Sequence, residues 1–272
     1  MSQNYTEILD FLKDIAYKAG DIMKYYYDKK YNIYEKSDKT NVTDVDLEIS
    51  KLIQNAIKLK NLDIDLFSEE CYNKNFNQNR NTFVIDELDG TNNFINKNGD
   101  FAHCSSYYDK DEGFVIGLVY FPLKDKLFTA VKNQGALLTI NQKTEKLVKL
   151  NPKSFEIIKF SHPLNYKGNK YNLLLYKMGI DKESIVKSNG SDLLDIISGK
   201  YDASLLLHKQ IPIWDIVPSK VIFEELDYVY TYINNGPIDF FHHQVDNAGY
   251  LICHNDNLPV IRNILKDKEL QK

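Results

Sequence analysis

The interpretation of the whole chain depends on one segment, Val84-Ile85-Asp86-Glu87-Leu88-Asp89-Gly90-Thr91. Apolar residues typical of a buried strand run directly into two aspartates three residues apart, and a Gly-Thr turn follows. Two carboxylates at a strand end, with the carbonyl of Leu88 between them, can converge on a hard cation such as Mg²⁺. A helix beginning after Gly90 would offer free N–H groups to a phosphate. For this segment alone, a solvated polar turn is the simpler alternative.

Three further acidic motifs lie elsewhere in the chain. Phe67-Ser68-Glu69-Glu70 ends another short strand-like run, and Thr43-x-x-Asp46 fits a helix capping box. Trp214-Asp215 precedes an apolar, helix-like segment, for which we predict Asp215 as the N-cap and Pro218 in the first turn. Each motif alone has a purely structural explanation.

The hydrophobic periodicity changes along the chain. Apolar residues at alternating steps of four and three predict amphipathic helices over residues 5–29 and 45–60. Short β-prone runs predict strands at 65–67, 82–85, 112–122, 126–132, 136–140, 157–160 and 201–207. Helices are predicted at 191–198 and 215–226, the first followed by Gly199. This alternation favours two packed α/β halves.

Composition excludes several classes of protein. The chain has 272 residues, 43% of them hydrophobic, with 34 Lys+Arg against 38 Asp+Glu and a net charge of −4, so disorder, collagen and coiled coil are excluded. The slight acidity argues against nucleic-acid binding, which needs an excess of basic residues. Arg80 and Arg262 are the two arginines, so an anion site has to use lysines, backbone N–H groups or metal ions.

The three cysteines, Cys71, Cys104 and Cys253, fit neither a disulfide framework nor a C-x-x-C metal site. They suit a reducing compartment. The sequence also has no signal-like or membrane-spanning apolar segment. We therefore expect a cytoplasmic protein without a membrane partner.

Taken together and in this order, the motifs resemble those of the inositol monophosphatase family of Mg²⁺-dependent, Li⁺-sensitive phosphatases. The family's Val-Thr-x-x-Asp segment, Glu-Glu pair, Asp-Pro-Leu/Ile-Asp-Gly-Thr core and C-terminal Trp-Asp correspond to four segments of this chain. These are Val42–Asp46, Glu69-Glu70, Asp86–Thr91 and Trp214-Asp215, and Gly190-Ser191 agrees as well. The resemblance spans nearly the whole chain.

The resemblance implies a set of site residues. The metal ligands for two Mg²⁺ ions, with a weaker third ion near Asp46, would be Glu69, Asp86, the Leu88 carbonyl, Asp89 and Asp215. The catalytic residues would be Glu69, Thr91, Asp46 and Asp38, and the substrate-binding residues Gly90, Thr91, Asn92 and Asp215. Lys36 also stands where family members carry a lysine near the site, although a solvated loop lysine is an equal alternative.

The resemblance also implies the architecture. We expect an α/β (α+β) protein folded as a layered αβαβα sandwich of two packed α/β halves. Residues 1–150 would form an N-terminal α+β half with most metal ligands. Residues 151–272 would form a C-terminal half supplying Asp215 and part of the substrate wall. Family members are commonly homodimers.

The expected activity is Mg²⁺-dependent hydrolysis of a small phosphorylated metabolite, by attack of an activated water. The segment Asn93-Phe94-Ile95 favours an inositol phosphate. By contrast, Phe94–Phe101 and Lys36-x-Asp38 resemble the 3′(2′),5′-bisphosphate nucleotidase branch. A second nucleotide phosphate would need a cation, for which Lys97 and Lys209 are the candidates.

Two alternatives of other classes stay open. Glu87 replaces the usual proline of the core motif, and Val217-Pro218 replaces a common Ala-Ala, which permits a weakly active or non-catalytic regulatory member of the family. A histidine-based metal hydrolase would use His242, His243 and Asp246. Adjacent histidines point to opposite sides of an extended chain, and no H-E-x-x-H helix accompanies them.

Overall fold

The computed structural model describes residues 5–71, 76–149, 151–152, 160–161, 190–206, 210–232, 238, 244–246 and 250–265. Most of the strand predicted at 157–160 lies outside the described residues. The same holds for His208, Lys209, His242 and His243, and for the side chain of Asp246. The alternatives that use these side chains therefore stay untested predictions.

The two amphipathic helices predicted near the N-terminus are confirmed. Helix α1 spans Thr6–Tyr27, and α2 spans Asp44–Leu59. Thr43 caps α2 with the capping box expected from the sequence, because the Asp46 carboxylate accepts the Thr43 N–H in return. Between the helices lies a hairpin of β1 (Ile33–Glu35) and β2 (Asn41–Thr43).

A seven-stranded sheet follows α2 in the chain. Its strands lie side by side in sequence order, and all neighbours are antiparallel except the first two, which are parallel. The strands are β3 (Asp65–Ser68), β4 (Thr82–Asp89), β5 (Ala102–Asp109), β6 (Gly113–Phe121), β7 (Lys126–Val131), β8 (Gly135–Ile140) and β9 (Lys143–Lys146).

Three features of this sheet differ from the sequence prediction. Strand β4 continues four residues beyond Ile85, and neither β5 nor β9 was predicted. All eight residues of β5 are buried, including the polar His103 and Ser105. A strand covered on both faces lacks the polar–apolar alternation on which such predictions depend.

The C-terminal part adds a four-stranded sheet in the order β10-β11-β15-β13, and a separate β12–β14 pair. The strands are β10 (Phe160–Ser161), β11 (Ala203–Leu206), β12 (Gln210–Pro212), β13 (Tyr228–Tyr232), β14 (Gln244–Asp246) and β15 (Tyr250–His254). The helices are α3 (Thr91–Ile95), α4 (Ser191–Ile197), α5 (Ile213–Glu224) and α6 (Leu258–Leu265).

These elements stack in five layers. Helices α1 and α2 cover one face of the seven-stranded sheet, and α5 packs between its other face and the four-stranded sheet. Arg262 of α6 donates to Thr231 Oγ1 of β13 on the outer side. The predicted αβαβα sandwich is thus confirmed, whereas the division of the chain near residue 150 stays a prediction. Among the described residues, no helix combines the length and apolar character needed to cross a membrane.

The predicted start of α5 was wrong. The helix begins at Ile213 with Pro212 as its N-cap, so Asp215 is the third helical residue and Pro218 lies inside the helix. Pro212 ends strand β12, and its fixed φ of −59° leads directly into helical backbone. Asp215 is therefore not the N-cap of α5, although its carboxylate lies in the first turn.

Candidate metal centre

The end of β4 provides two of the candidate ligands. Asp86 and Asp89 are both buried, and the pairing of β4 with β5 shifts register between them. This bulge is stabilised by the Leu88 N–H, which donates to Asp86 Oδ1 at 3.0 Å. Gly90 then turns the chain with φ 86°, a conformation that favours glycine, and α3 begins at Thr91.

Asp215 of α5 joins these two aspartates. Carboxylate oxygens of Asp86, Asp89 and Asp215 all lie within 4.8 Å of one another. Asp86 and Asp215 are hydrogen-bonded to each other. Asp89 Oδ2 accepts the backbone N–H of Gly190 at 2.7 Å, which links the loop before α4 to the same centre.

The electrostatics of this cluster fit a divalent cation. Burial raises the pKa of Asp86 well above its usual value, and the charges of Glu69 and Asp215 raise it further. Burial likewise raises the pKa of Asp215, together with Asp89 and Glu69. Three carboxylates at this spacing, two of them buried and that of Asp215 partly exposed, repel one another when ionised, and a compensating positive charge relieves the repulsion.

The donor atoms around the cluster are oxygens. The thiol of Cys104 lies 3.9 Å from Asp89 Oδ2 but does not belong to the group of three carboxylates, and burial raises its pKa well above the usual value. Carboxylates with a nearby backbone carbonyl suit Mg²⁺ better than a thiophilic metal. The residues present therefore fit a hard divalent cation.

Glu69 lies beside the cluster but outside this group of three. Its backbone N–H donates to the Ile85 carbonyl at 3.2 Å, which anchors the end of β3 against β4. Its carboxylate pairs with Lys36 at 2.7 Å, and Lys36 also contacts Glu70 at 2.6 Å. Burial lowers the pKa of Lys36, but the two glutamates outweigh it and raise the pKa above its ordinary value.

Thr91 and Asp46 form a hydroxyl–carboxyl pair next to the cluster. The Thr91 hydroxyl lies 3.3 Å from Asp46 Oδ1 and 3.1 Å from the Leu88 carbonyl. The other oxygen of Asp46 accepts from Thr43 of the capping box. Burial raises the pKa of Asp46 to about 7, so this carboxyl exchanges its proton near neutral pH.

The remaining predicted residues lie at the rim. Asp38 is exposed, and its carboxylate accepts the backbone N–H and hydroxyl of Thr40, which lower its pKa. Asn92 is exposed at the start of α3, and its carbonyl oxygen accepts from the Asn41 amide at 2.8 Å. Asp38 thus lies between β1 and β2, and the hydrogen bond between Asn41 and Asn92 connects that hairpin to α3; the roles assigned to Asp38 and Asn92 stay predictions.

Lys97, a candidate for a second phosphate, is engaged elsewhere. Its ammonium group lies 4.6 to 5.0 Å from the ring centres of Tyr27, Tyr31 and Phe94 and donates to the Tyr27 carbonyl. Burial lowers its pKa. These contacts hold the lysine against α1.

Sequence reasoning did not assign roles to the Gly190 N–H or to the buried Glu87. Glu87 accepts a hydrogen bond from Ser68, and the His103 ring contacts its backbone carbonyl. Burial raises the pKa of Glu87 to about 8. Glu87 could have been singled out from the sequence because an ionisable residue stands there in place of proline. The role of the Gly190 N–H could not, because every residue except proline has a backbone N–H.

Comparison with known proteins agrees with this fold. A curated 3′(2′),5′-bisphosphate nucleotidase CysQ of Buchnera aphidicola is 35% identical over 130 residues, covering 46% of this chain and 49% of the relative. The chain thus matches about half the length of this first relative. A fructose-1,6-bisphosphatase/inositol-1-monophosphatase of Methanocaldococcus jannaschii is 27% identical over 260 residues, covering 93% and 97% of the two chains. A solved staphylococcal inositol monophosphatase, in a lithium chloride inhibitory complex, superposes with a TM-score of 0.79 at 17% identity, covering 98% and 97%.

The class to which this structure belongs is that of layered α/β proteins with a cluster of three carboxylates that could hold a metal ion. The model of the inositol monophosphatase family matches residues 4–266. This chain belongs to the inositol monophosphatase family.

Proposed function

We propose that the protein is a Mg²⁺-dependent phosphate monoester hydrolase that acts on an inositol monophosphate. The convergence of Asp86, Asp89 and Asp215 within 4.8 Å carries this proposal. The three carboxylates come from distant parts of the chain and would hold the cation together with the Leu88 carbonyl and Glu69. A bound divalent cation supplies charge neutralisation on the phosphate and a lower pKa for water.

The chain's own residues orient the attacking water. The Thr91 hydroxyl lies between the Leu88 carbonyl and Asp46, so its position is fixed by two contacts. The Asp46 Oδ1 atom, 3.3 Å from the Thr91 hydroxyl, would accept the proton of that hydroxyl as the hydroxyl takes one from the attacking water. Glu69, held by Lys36, orients the same water from the other side.

The phosphate group would bind at the turn after β4. Gly90 adopts a left-handed backbone conformation, and the Gly90–Asn92 segment presents N–H groups at the start of α3. Phosphoryl transfer needs positioning and charge neutralisation more than covalent help from the protein. Accordingly, no protein nucleophile is required in this mechanism.

A 3′(2′),5′-bisphosphate nucleotidase is the second candidate, favoured by the similarity to the Buchnera protein. A nucleotide with two phosphates requires an extra cation at the rim of the site. Lys97 is held in its aromatic cage against α1, which speaks against this role for it. Lys209, the other candidate, lies outside the described residues, so our preference for the inositol phosphate rests on the segment Asn93-Phe94-Ile95.

Phosphate release from inositol 1-phosphate and from adenosine 3′,5′-bisphosphate, each with Mg²⁺ and with a chelator, tests the proposal. We expect Mg²⁺-dependent release that is faster with the inositol phosphate. Faster release from the nucleotide would favour the second candidate. Absence of release from both would contradict the hydrolase proposal and favour a regulatory member of the family.

Four finer properties are part of the same proposal. We propose two Mg²⁺ ions with a weaker third near Asp46, and inhibition by Li⁺, by analogy with the lithium complex of the staphylococcal relative. A homodimer and a cytoplasmic location stay predictions, which size-exclusion chromatography with light scattering and cell fractionation would test.

A further inference from the structure

A second group of buried polar side chains lies behind the metal loop, residues 86–91. Its members come from three adjacent strands of the seven-stranded sheet. Ile85 pairs with Ser68 of β3 on one side and with Ser105 of β5 on the other, and it packs with residues of α1 and α2. Directly paired residues share a face of a sheet, so both serines face these helices. Glu87 and His103 complete the group, and all four side chains are almost fully buried.

Two hydrogen bonds connect this group to the metal loop. The Ser68 hydroxyl donates to Glu87 Oε1 at 2.7 Å, which ties the end of β3, directly before Glu69, to the bulge of β4. The His103 ring Nδ1 lies 3.2 Å from the Glu87 backbone carbonyl, inside the bulge. A carbonyl oxygen only accepts hydrogen bonds, so Nδ1 carries the hydrogen and Nε2 is an acceptor.

These four buried polar side chains do not stabilise the fold as an apolar core would. Among the described residues, Glu87 Oε2, His103 Nε2 and Ser105 Oγ are buried without a protein hydrogen-bond partner. Buried polar atoms in that state lower stability, and apolar side chains would fill the same space better. Buried polar atoms without hydrogen-bond partners are expected where a function requires them.

We propose that Ser68, Glu87 and His103 form a positioning unit that fixes the bulge of β4 relative to Glu69 and thereby sets the affinity of the centre for its divalent cation. The inference rests on the metal centre of the proposed function. None of the three side chains touches substrate in this scheme; they act through Glu69, Asp86 and Asp89. Groups that orient metal ligands from behind typically change metal affinity by about 10- to 100-fold.

Two substitutions of His103 test the unit. His103→Leu removes the donor to the Glu87 carbonyl, whereas His103→Asn keeps an N–H donor near the position of Nδ1. Isothermal titration of the full chain with Mg²⁺ should show affinity lowered by about tenfold or more in H103L and largely restored in H103N. Equal affinity in the parent and H103L would overturn the proposal.

A matched control separates positioning from folding. Ser106 is the neighbour of Ser105 on β5, is equally buried, and donates to the Ile116 carbonyl at 2.6 Å. Ser106→Ala should lower the thermal unfolding midpoint without changing the Mg²⁺ affinity. A loss of Mg²⁺ affinity in S106A as large as that in H103L would also overturn the proposal, because any buried defect would then have the same effect.

A further variant covers the case in which H103L does not fold. Ser68→Ala deletes only the hydroxyl that bonds Glu87, and we expect it to weaken Mg²⁺ binding as well; parent-like affinity in S68A would count against the unit. Mg²⁺ binding by the parent chain separates a failure of the proposed function from a failure of the positioning unit. If the parent binds no Mg²⁺, the proposed function itself fails. If the parent binds Mg²⁺ and the variants bind it equally well, only the positioning unit fails.

Discussion

At the scale of single residues, Asp89 combines a structural hydrogen bond with a place in the acidic cluster. One oxygen accepts the Gly190 N–H, and the carboxylate also faces Asp86 and Asp215. An asparagine at this position can still accept from Gly190, but it removes one negative charge from the centre. The substitution therefore separates the charge of Asp89 from its structural hydrogen bond.

We expect Asp89→Asn to lower Mg²⁺-dependent phosphate release by about a thousandfold, the effect of losing several kcal/mol of charge stabilisation. The metal-free variant should be at least as stable as the parent, because the repulsion with Asp86 and Asp215 is reduced. Phosphate release and thermal unfolding in chelator measure the two effects. Retained Mg²⁺-dependent turnover would count against the proposed function.

Thr91 supplies a second prediction for a single residue. Thr91→Ala removes the hydroxyl between the Leu88 carbonyl and Asp46, and we expect kcat to fall by about 100-fold with little change in KM. Thr91→Ser should restore most of the rate. Thr144→Ala serves as the control, because the Thr144 hydroxyl shares a hydrogen bond with the Thr139 hydroxyl on the exposed hairpin of β8 and β9. An alanine at 91 that leaves kcat unchanged would exclude the proposed role.

At the scale of elements, the contact between α5 and β6 places Asp215. Gly117 of β6 lies directly under α5, where an added Cβ would stand 2.3 Å from the Pro218 carbonyl oxygen and 2.9 Å from the Val221 Cβ. Because the first contact is with backbone, the helix has to move. Gly117→Ala should lower the free energy of unfolding by about 1–3 kcal/mol and also weaken Mg²⁺ binding.

Gly20 of α1 provides the matched control on the other face of the sheet. Its added Cβ would meet the Tyr120 ring at 2.4 Å, close to Pro122 and remote from α5. Gly20→Ala should lose stability in chemical denaturation while keeping the parent's Mg²⁺ affinity. If G117A also binds Mg²⁺ like the parent, then α5 does not set the position of Asp215 in the way proposed.

At the scale of the whole molecule, the buried acids make stability depend on pH and on metal. Burial raises the pKa of Asp46 to about 7 and that of Glu87 to about 8, above their unfolded values. Stability from such acids is present at low pH and is lost as pH rises through the folded pKa. Burial lowers the pKa of His103 to about 4, which costs stability only as pH falls below its unfolded value.

We therefore expect the unfolding midpoint of the metal-free protein to fall between about pH 6.5 and about pH 8.5. Mg²⁺ should reduce this fall, because it binds the ionised carboxylates and stabilises the folded state increasingly as they lose protons. Differential scanning calorimetry with chelator and with Mg²⁺ measures both curves. An unfolding midpoint that rises with pH over this range in chelator would contradict the raised pKa values of Asp46 and Glu87.

Local patterns predicted a large part of the fold. Helices α1 and α2 were predicted because each buries a single apolar face, which leaves a periodic pattern. Strand β5 was missed because both of its faces are buried, with polar His103 among them. The N-cap at Asp215 was wrong because the start of α5 depends on Pro212 at the end of β12.

The sequence by itself determined which chemical groups are present: oxygen ligands in four motifs, hardly any arginine, and an order of motifs that marks the family. Tertiary structure alone decided which of these groups meet. The Gly190–Asp89 hydrogen bond spans 101 residues, Lys36 reaches Glu69 across 33, and Asp215 arrives on a helix packed across β6. Such contacts depend on how whole layers pack, and a pattern read over a few neighbouring residues carries no information about that packing.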